Sequence, residues 1–266
     1  MAGQYDRKKS LAPPDSSFKQ IMWNKIYIVG THHKSGTTWM ESLFSEFAQL
    51  MGIEFIDYGY MKEFEGRTYN IASTNSCILF SHDATLFDLS LMEDGKAAGF
   101  HLVRDPRDVA ISGAIYHTRP DVLEGEKWLL EPFGIGGSYR DALVAINSFE
   151  DRVTFEACNV ALATSENMVR VHEAGILQTI KYEDLYLAFG QKEKSFCIKD
   201  ALQLDDRGWE IFYGCFARTH IESGNLENLF QANSGKPEQY KNLSRSTQAG
   251  LLRVLGNCIE RLGYQL

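Results

Sequence analysis

The loop at residues 30–38, GTHHKSGTT, combines two glycines, a lysine and several hydroxyl side chains. A short apolar run typical of a buried strand precedes it, and the helical pattern of residues 39–51 follows it. The first backbone N–H groups of a helix lack partners within the helix, and the helix dipole favours an anion beside them. Lys34 adds a positive charge, and Thr37 and Thr38 add hydroxyl donors. The loop is therefore predicted to hold a phosphate-like anion.

The spacing of this loop differs from that of the nucleoside-triphosphate P-loop, G-x-x-x-x-G-K-S/T. Five residues separate Gly30 from Gly36, Thr37 stands where that motif requires lysine, and the lysine lies earlier, at position 34. A γ-phosphate arrives with several charges and a magnesium ion, which the P-loop lysine and hydroxyl are placed to meet. The arrangement here favours an anion held without a metal, and a nucleotide or small-molecule kinase of the P-loop superfamily stays as an alternative.

The six residues 34–39, KSGTTW, resemble the 5′-phosphosulfate loop of the sulfotransferases that use 3′-phosphoadenylyl sulfate (PAPS). The resemblance runs from about residue 25 to residue 262. It implies a PAPS-dependent sulfotransferase of the soluble type, which moves a sulfuryl group in line to a hydroxyl or amine of a small-molecule acceptor and leaves 3′,5′-adenosine bisphosphate (PAP). In that family the loop binds the donor, the lysine neutralises charge on the bridging oxygen, and the tryptophan packs on adenine. The corresponding residues are Lys34, Ser35, Gly36, Thr37, Thr38 and Trp39.

A second motif, RDPRDVAIS, follows the apolar run of residues 98–103. It resembles the family's 3′-phosphate motif, in which an arginine and a serine eight residues later share the 3′-phosphate of PAPS. Here that pair is Arg104 and Ser112. Arginine suits the role because its planar fork meets two phosphate oxygens at once. Taken alone, Arg104 could equally form a surface ion pair with Asp105 or Asp108.

Two later segments extend the resemblance. Residues 182–185, YEDL, match the family where its tyrosine lies against adenine, and Tyr182 either does so here or simply ends a strand in the core. Residues 233–242, NSGKPEQYKN, resemble the loop that closes over the 3′-phosphate, to which Ser234, Gly235 and Lys236 would belong. That loop has a basic pair in the family, whereas Asn233 and Ser234 stand there in this chain. A catalytically silent nucleotide-binding relative is therefore a further alternative.

Sulfuryl transfer to a hydroxyl needs a base for the acceptor's proton, and histidine is the side chain whose ordinary pKa lies nearest neutrality. His82 follows the strand-like run of residues 76–80 at the place where the family carries its catalytic histidine. The family usually has Lys-Thr-His there, and this chain has Phe-Ser-His. His33, inside the anion loop, is the main competitor for the base role, and His117 is a weaker one.

For these motifs to form one site, the strands that precede them must end at the same edge of a sheet. Strand-like segments at residues 26–29, 76–80, 98–103 and 176–181 predict four strands, and the apolar run at 26–29 is typical of a fully buried one. Helical patterns follow at residues 39–51, 138–163, 166–173, 195–202, 209–218 and 247–262. We expect an α/β, P-loop-like three-layer fold, with a parallel sheet of about four or five strands and helices on both faces. The aromatic-rich residues 51–75 form either a wall of the acceptor pocket or part of the core.

The 266 residues suit one domain at residues 21–266, after a loose N-terminal arm at residues 1–20. The net charge of −8 and the pI of about 5.4 argue against nucleic acid and acidic membranes as partners. Five scattered cysteines indicate buried thiols in a reducing compartment, and the chain shows neither a secretory peptide nor a membrane span. We expect a cytoplasmic protein that needs no metal, and the resemblance is compatible with a homodimer.

Overall fold

The computed structural model describes residues 25–58, 76–87, 97–123, 125–134, 136–220 and 235–266. The arm predicted at residues 1–20 lies outside these ranges. One parallel sheet organises the described chain. Its strands are β1 (Ile26–Gly30), β2 (Glu54–Asp57), β3 (Cys77–Ser81), β4 (Ala97–Val103) and β5 (Gln178–Lys181). They lie in the order β2-β3-β1-β4-β5, and each neighbouring pair is parallel. This arrangement confirms the predicted fold class.

Helices cover both faces of the sheet. The described helices are α1 (Thr37–Met51), α2 (Pro106–Tyr116), α3 (Tyr139–Val144), α4 (Phe149–Cys158), α5 (Val160–Ala174), α6 (Tyr182–Leu187), α7 (Phe196–Leu202), α8 (Asp206–Thr219) and α9 (Arg245–Arg261). Helices α1, α7 and α8 pack with one side of the strands, including Tyr27 and Val29 of β1. Ile28 points to the opposite side, toward Val171 of α5. Both faces of the strands are apolar because both are covered.

The central strand also fixes the position of the anion loop. After β1 the chain first builds β2 and β3 on one side and then crosses to build β4 and β5 on the other. Such a switch in direction opens a crevice at the carboxyl ends of the strands, where open α/β sheets bind ligands. The loop between β1 and α1 lies at this point. Helix α1 ends where predicted, since Gly52 adopts a left-handed conformation, with φ of 67°, and caps the carbonyl groups of the last turn.

Two predictions about secondary structure were wrong in detail. Strand β2 falls inside the aromatic-rich segment, for which the sequence predicts no strand. Residues 59–75 of that segment, including Phe64 and Tyr69, lie outside the described residues. The single helical run expected at residues 138–163 is divided among α3, α4 and the start of α5. Ser138 and Ser148 each cap a new helix by accepting a backbone N–H three residues on, which explains the division.

Within the described ranges, each helix is too short or too polar to span a lipid bilayer.

Candidate active site

The loop after β1 is held in shape by its own side chains. The Ser35 hydroxyl donates to the carbonyl of His32 at 2.8 Å and accepts from the His32 N–H at 2.9 Å. The Thr37 hydroxyl donates to the same carbonyl at 3.1 Å. Lys34 and Gly36 adopt positive φ angles of 62° and 109°, which turn the backbone into the helix. The N-cap residue of α1 is Gly36, which has no side chain to accept the first N–H groups, so these groups suit an anion held in the loop.

Lys34 rests on an aromatic ring. Its Nζ lies 3.2 Å from the centroid of the Tyr116 ring, a cation–π contact that holds the ammonium beside the loop. Burial lowers the pKa of Lys34 to about 7. An anion bound in the loop would raise the pKa of Lys34 and so favour its charged form.

Arg104 is the point at which the predicted motifs meet. Its Nη1 donates to the carbonyl of Lys34 at 3.3 Å, and its Nη2 approaches the carbonyl of Lys236 at 3.5 Å. Its Cζ lies 4.6 Å from the centroid of the Tyr182 ring. The side chain is 4% exposed, and its Nε is buried without a hydrogen-bond partner among the described residues. A buried guanidinium with an N–H group that lacks an acceptor is suited to bind an anion.

The alternative of a surface ion pair for Arg104 does not hold. Asp105 instead binds Arg107, through Oδ1 and Oδ2 at 2.9 and 2.7 Å. Asp108 turns to the segment after Gly235, where it accepts the backbone N–H groups of Glu238 and Tyr240 at 2.7 and 3.2 Å. Burial raises the pKa of Asp108 to about 6. In the described part of the chain, no carboxylate forms an ion pair with Arg104.

The segment that begins at Gly235 is therefore fixed against α2. Besides the bonds to Asp108, the Tyr182 hydroxyl donates to the Gly235 carbonyl at 2.7 Å. Lys236 is exposed, and its backbone carbonyl is the one that Arg104 approaches. Ser234 lies outside the described residues, so its predicted contact stays a prediction. Ser112 lies two turns into α2 and is 7% exposed.

The two aromatic residues expected at adenine are both in the core. Trp39 is 3% exposed and packs edge-on against Tyr182, with ring centroids 5.8 Å apart. Tyr182 is 1% exposed, so the core position that we had considered for it is correct. Its hydroxyl nevertheless reaches the Gly235 segment. The adenine contacts of both residues stay predictions.

The candidate base His82 is exposed directly after β3. Its charge contributes to lowering the pKa of His33, after burial and the charges of His117 and Lys34. His33 Nε2 is hydrogen-bonded to His117 Nε2 at 2.8 Å, and His117 Nδ1 contacts Glu156 Oε1 at 2.6 Å. The two weaker candidates for the base are thus joined to each other and to a buried carboxylate.

A second histidine chain leads away from the other histidine of the loop. His32 Nε2 contacts His101 Nδ1 at 3.1 Å, and His101 Nε2 contacts the Thr179 hydroxyl at 2.8 Å. The same hydroxyl contacts His172 Nδ1 at 2.7 Å. Burial lowers the pKa of His32 and of His101 to about 3, so both are neutral and tie β1, β4 and β5 together.

Two residues important to this geometry were not predicted as site residues. Asp108 was considered only as a partner of Arg104, and Glu156 was not singled out. A signal for Glu156 does exist, because it lies between Val153 and Ala157 on the buried side of α4. A carboxylate on the apolar side of a helix is rare without a function or a partner. Among the described residues, no group of three metal-binding side chains could hold a metal ion.

Comparison with known proteins identifies the fold. No family model matches the chain, and no curated protein matches it in sequence. Among solved structures, the mouse sulfotransferase SULT7A1 complexed with PAP matches with a TM-score of 0.53 and 14% identity, over 89% of this chain and 85% of that one. Retinol dehydratase in complex with androsterone and inactive cofactor PAP has a TM-score of 0.49 and 15% identity, over 91% of this chain and 82% of its own.

Proposed function

Starting from a chain with the fold of the sulfotransferases, we propose that this protein transfers a sulfuryl group from PAPS to a hydroxyl or amine of a small-molecule acceptor. The observation that carries the proposal is Arg104, a buried guanidinium with an unpaired Nε between the carbonyls of Lys34 and Lys236. One positively charged group thus joins the anion loop to the Gly235 segment. A nucleotide with phosphates at its 3′ and 5′ positions is the ligand that would contact both the anion loop and the Gly235 segment.

The residues divide between the two ends of this nucleotide. The loop residues Ser35, Thr37 and Thr38, with the first N–H groups of α1, would hold the 5′-phosphate and the sulfonate. Arg104 and Ser112 would hold the 3′-phosphate, together with Ser234, Gly235 and Lys236 from the closing segment. Gly36 lets the backbone turn close to the donor. Trp39 and Tyr182 would form the wall on the adenine side. PAP retains both phosphates and would bind to the same groups.

For the chemistry, His82 is the proposed general base. It would take the acceptor's proton as the acceptor oxygen or nitrogen attacks sulfur and the bond from sulfur to the bridging oxygen breaks. Lys34 would neutralise the charge that develops on that oxygen, which stabilises the transition state more than the ground state. The transferred group carries less charge than a phosphoryl group, so this chemistry does not require a metal ion. We place the activity in the cytoplasm, where its free thiols would stay reduced.

Ligand-dependent thermal stability tests the proposal and separates it from its alternatives. A ligand that binds only the folded state raises stability by about 2.7 kcal/mol at one hundred times its dissociation constant. The proposal predicts that PAP raises the melting temperature more than AMP or ATP with magnesium at equal concentration. A selective response to ATP with magnesium would favour a kinase. Binding of PAP without turnover of PAPS would favour a silent relative, which the absent basic pair at residues 233–234 makes the second candidate.

A further inference from the structure

Glu156 is an unusual carboxylate for the interior of this fold. It is 0% exposed, and its Oε1 contacts His117 Nδ1 at 2.6 Å. Its Oε2 is buried without a hydrogen-bond partner among the described residues. An unsatisfied buried oxygen costs stability, and an unpaired buried charge costs more. The carboxylate therefore depends on the hydrogen bond from His117. The Tyr139 hydroxyl is the other polar group that faces it, and burial together with the Glu156 charge raises the pKa of that hydroxyl.

The neighbouring helix α2 makes room for this carboxylate. A Cβ atom at Gly113 would lie 2.7 Å from Glu156 Oε2, closer than two such atoms can approach. A glycine within a helix is less favourable than an alanine at the same position. The chain thus carries two unfavourable features, a helical glycine and a buried carboxylate, at the same contact. Both are explained if the position of the carboxylate beside His117 serves a function.

The hydrogen bonds indicate where the protons lie. In the neutral His117 ring, Nδ1 carries the hydrogen because it faces a carboxylate, and the lone pair lies on Nε2. His33 Nε2 faces that lone pair at 2.8 Å and must donate to it. In the neutral His33 ring, Nδ1 then has the lone pair. The chain of three side chains starts at an acceptor nitrogen in the anion loop and ends at a buried negative charge.

We infer that His33, His117 and Glu156 form a proton relay, which gives the site a second proton acceptor beside His82. This inference rests on the proposed sulfuryl transfer. As the acceptor attacks sulfur, its O–H or N–H bond breaks and a bond from that hydrogen to His33 Nδ1 forms. The His33 Nε2–H bond breaks in turn, and its proton binds His117 Nε2. The products are a neutral His33 and a His117 cation paired with the Glu156 carboxylate.

The surroundings of the relay favour this direction of transfer. On the loop side, burial lowers the pKa of His33 well below its ordinary value, and the charges of His117, Lys34 and His82 add to this effect, so a charge is not retained there. On the interior side, the Glu156 carboxylate attracts the proton. Other groups packed near these residues are Tyr116, Trp128 and Tyr139 as aromatic rings, and Glu126 and Arg119 as charges that act on Lys34. Passing the proton inward leaves His33 neutral in its buried position.

Three substitutions that keep the size of the side chain test the relay: His33→Gln, His117→Gln and Glu156→Gln. Each removes a step of proton transfer while an amide still fills the space. Glu150→Gln on the same helix is the matched control, because Glu150 is half-buried and binds Ser244 and Thr247 rather than a histidine. Turnover is followed as hydrolysis of PAPS, with water as the acceptor, and as sulfation of p-nitrophenol. PAP affinity is measured by calorimetry in every variant.

Each relay variant is made in the His82→Ala background, where the relay is the remaining proton acceptor. There it is expected to lower kcat by about tenfold or more relative to His82→Ala alone, since a positioned proton acceptor contributes roughly 10²–10⁴-fold. Combining two of the three should cost no more than one alone, and PAP affinity should be unchanged. In Glu156→Gln the acid limb of the kcat profile should move to lower pH, because proton uptake loses the help of the negative charge. A purely structural role would leave that limb in place.

The outcomes separate the relay from the proposed function. Turnover with unchanged kcat and an unchanged acid limb in all three variants would overturn the relay alone. Losses that multiply in the double variants would also overturn it, because members of one relay act as a unit. An unmodified protein that neither binds PAP nor consumes PAPS would overturn the proposed function, and the catalytic role of the relay with it.

Discussion

Gly36 of the anion loop lies directly against the ring of Tyr182. A Cβ atom at position 36 would come within 2.9 Å of Tyr182 Cδ2, and the φ angle of 109° is one that few side chains tolerate. The loop that follows β1 and the tyrosine that follows β5 are therefore fitted to each other without space for a methyl group. Tyr182 also contacts the Gly235 segment, because its hydroxyl donates a hydrogen bond to the Gly235 carbonyl at 2.7 Å.

Gly36→Ala is expected to damage both stability and nucleotide binding. A strained backbone angle of this kind costs about 1–3 kcal/mol, and the collision with Tyr182 adds to it. Gly52→Ala is the matched control, because Gly52 also has a positive φ but meets no atom within 4 Å. Urea unfolding should show a larger loss for Gly36→Ala than for Gly52→Ala, and PAP affinity should fall only in the former. Equal losses in the two variants would contradict a role for the close contact.

Arg104→Ala is expected to weaken binding of PAP by roughly 30-fold, the equivalent of about 2 kcal/mol for a charged hydrogen-bonded contact. Affinity for AMP should change far less, because AMP lacks the 3′-phosphate. Arg104→Lys should recover only part of the loss, since lysine keeps the charge but not the planar fork. Calorimetric titration with both nucleotides checks this. Equal losses for PAP and AMP would reject the assignment of Arg104 to the 3′-phosphate.

His82→Ala is expected to lower kcat for sulfation of p-nitrophenol by at least 10²-fold, the contribution of a general base. PAP affinity should stay within about twofold, because no step of nucleotide binding is assigned to His82. His172→Gln, at the far end of the other histidine chain, serves as the control. Steady-state kinetics and calorimetry together make the test. An unchanged kcat in His82→Ala would leave His33 as the sole base.

Acid should destabilise the fold before most carboxylates titrate. The pKa of His32 and of His101 is about 3 in the folded protein against 6.5 ordinarily, because burial disfavours the charged form. The unfolded chain therefore binds protons between about pH 6.5 and pH 3 that the folded chain does not. The free energy of unfolding should fall as pH decreases through this window, at a limiting slope of roughly 1.4 kcal/mol per histidine per pH unit.

Urea unfolding at intervals from pH 7.5 to pH 5 measures this slope. His101→Asn should reduce it by about one proton, because asparagine does not titrate. A free energy of unfolding that stays constant over that range would contradict the neutral, buried state of these histidines.

Much of the fold could be predicted because its signals are local. Four strand-like segments matched β1, β3, β4 and β5 to within about two residues, the first three because strands covered on both faces are continuously apolar. The edge strands β2 and β5 each bury a single residue, Ile56 and Ile180, so burial does not separate them. β5 could be located because it leads directly into the YEDL motif, whereas β2 lies in a segment of mixed aromatic and charged residues without such a motif. The division of residues 138–163 into shorter helices could have been predicted from Ser138 and Ser148, each followed three residues later by an aspartate.

Some contacts of the candidate site could also be predicted from the sequence, and others could not. Lys34, Arg104 and Tyr182 follow three different strands, and parallel strands end at one edge, so their proximity could be expected from the motifs. The relay could not be expected, because His117 is separated by 84 residues from His33 and by 39 from Glu156. Nothing local indicates which face of α4 meets the end of α2. That contact is a consequence of helix packing rather than of any motif.

Transfer of label from PAPS carrying sulfur-35 tests the central claim most directly. The protein is incubated with labelled PAPS and p-nitrophenol, with and without magnesium, beside a parallel sample containing ATP labelled at the γ-phosphate. Our account predicts that the label moves to the phenol or to sulfate, that PAP forms in equal amount, and that ATP is untouched. Labelled sulfur that stays on the nucleotide while ATP is consumed would contradict it.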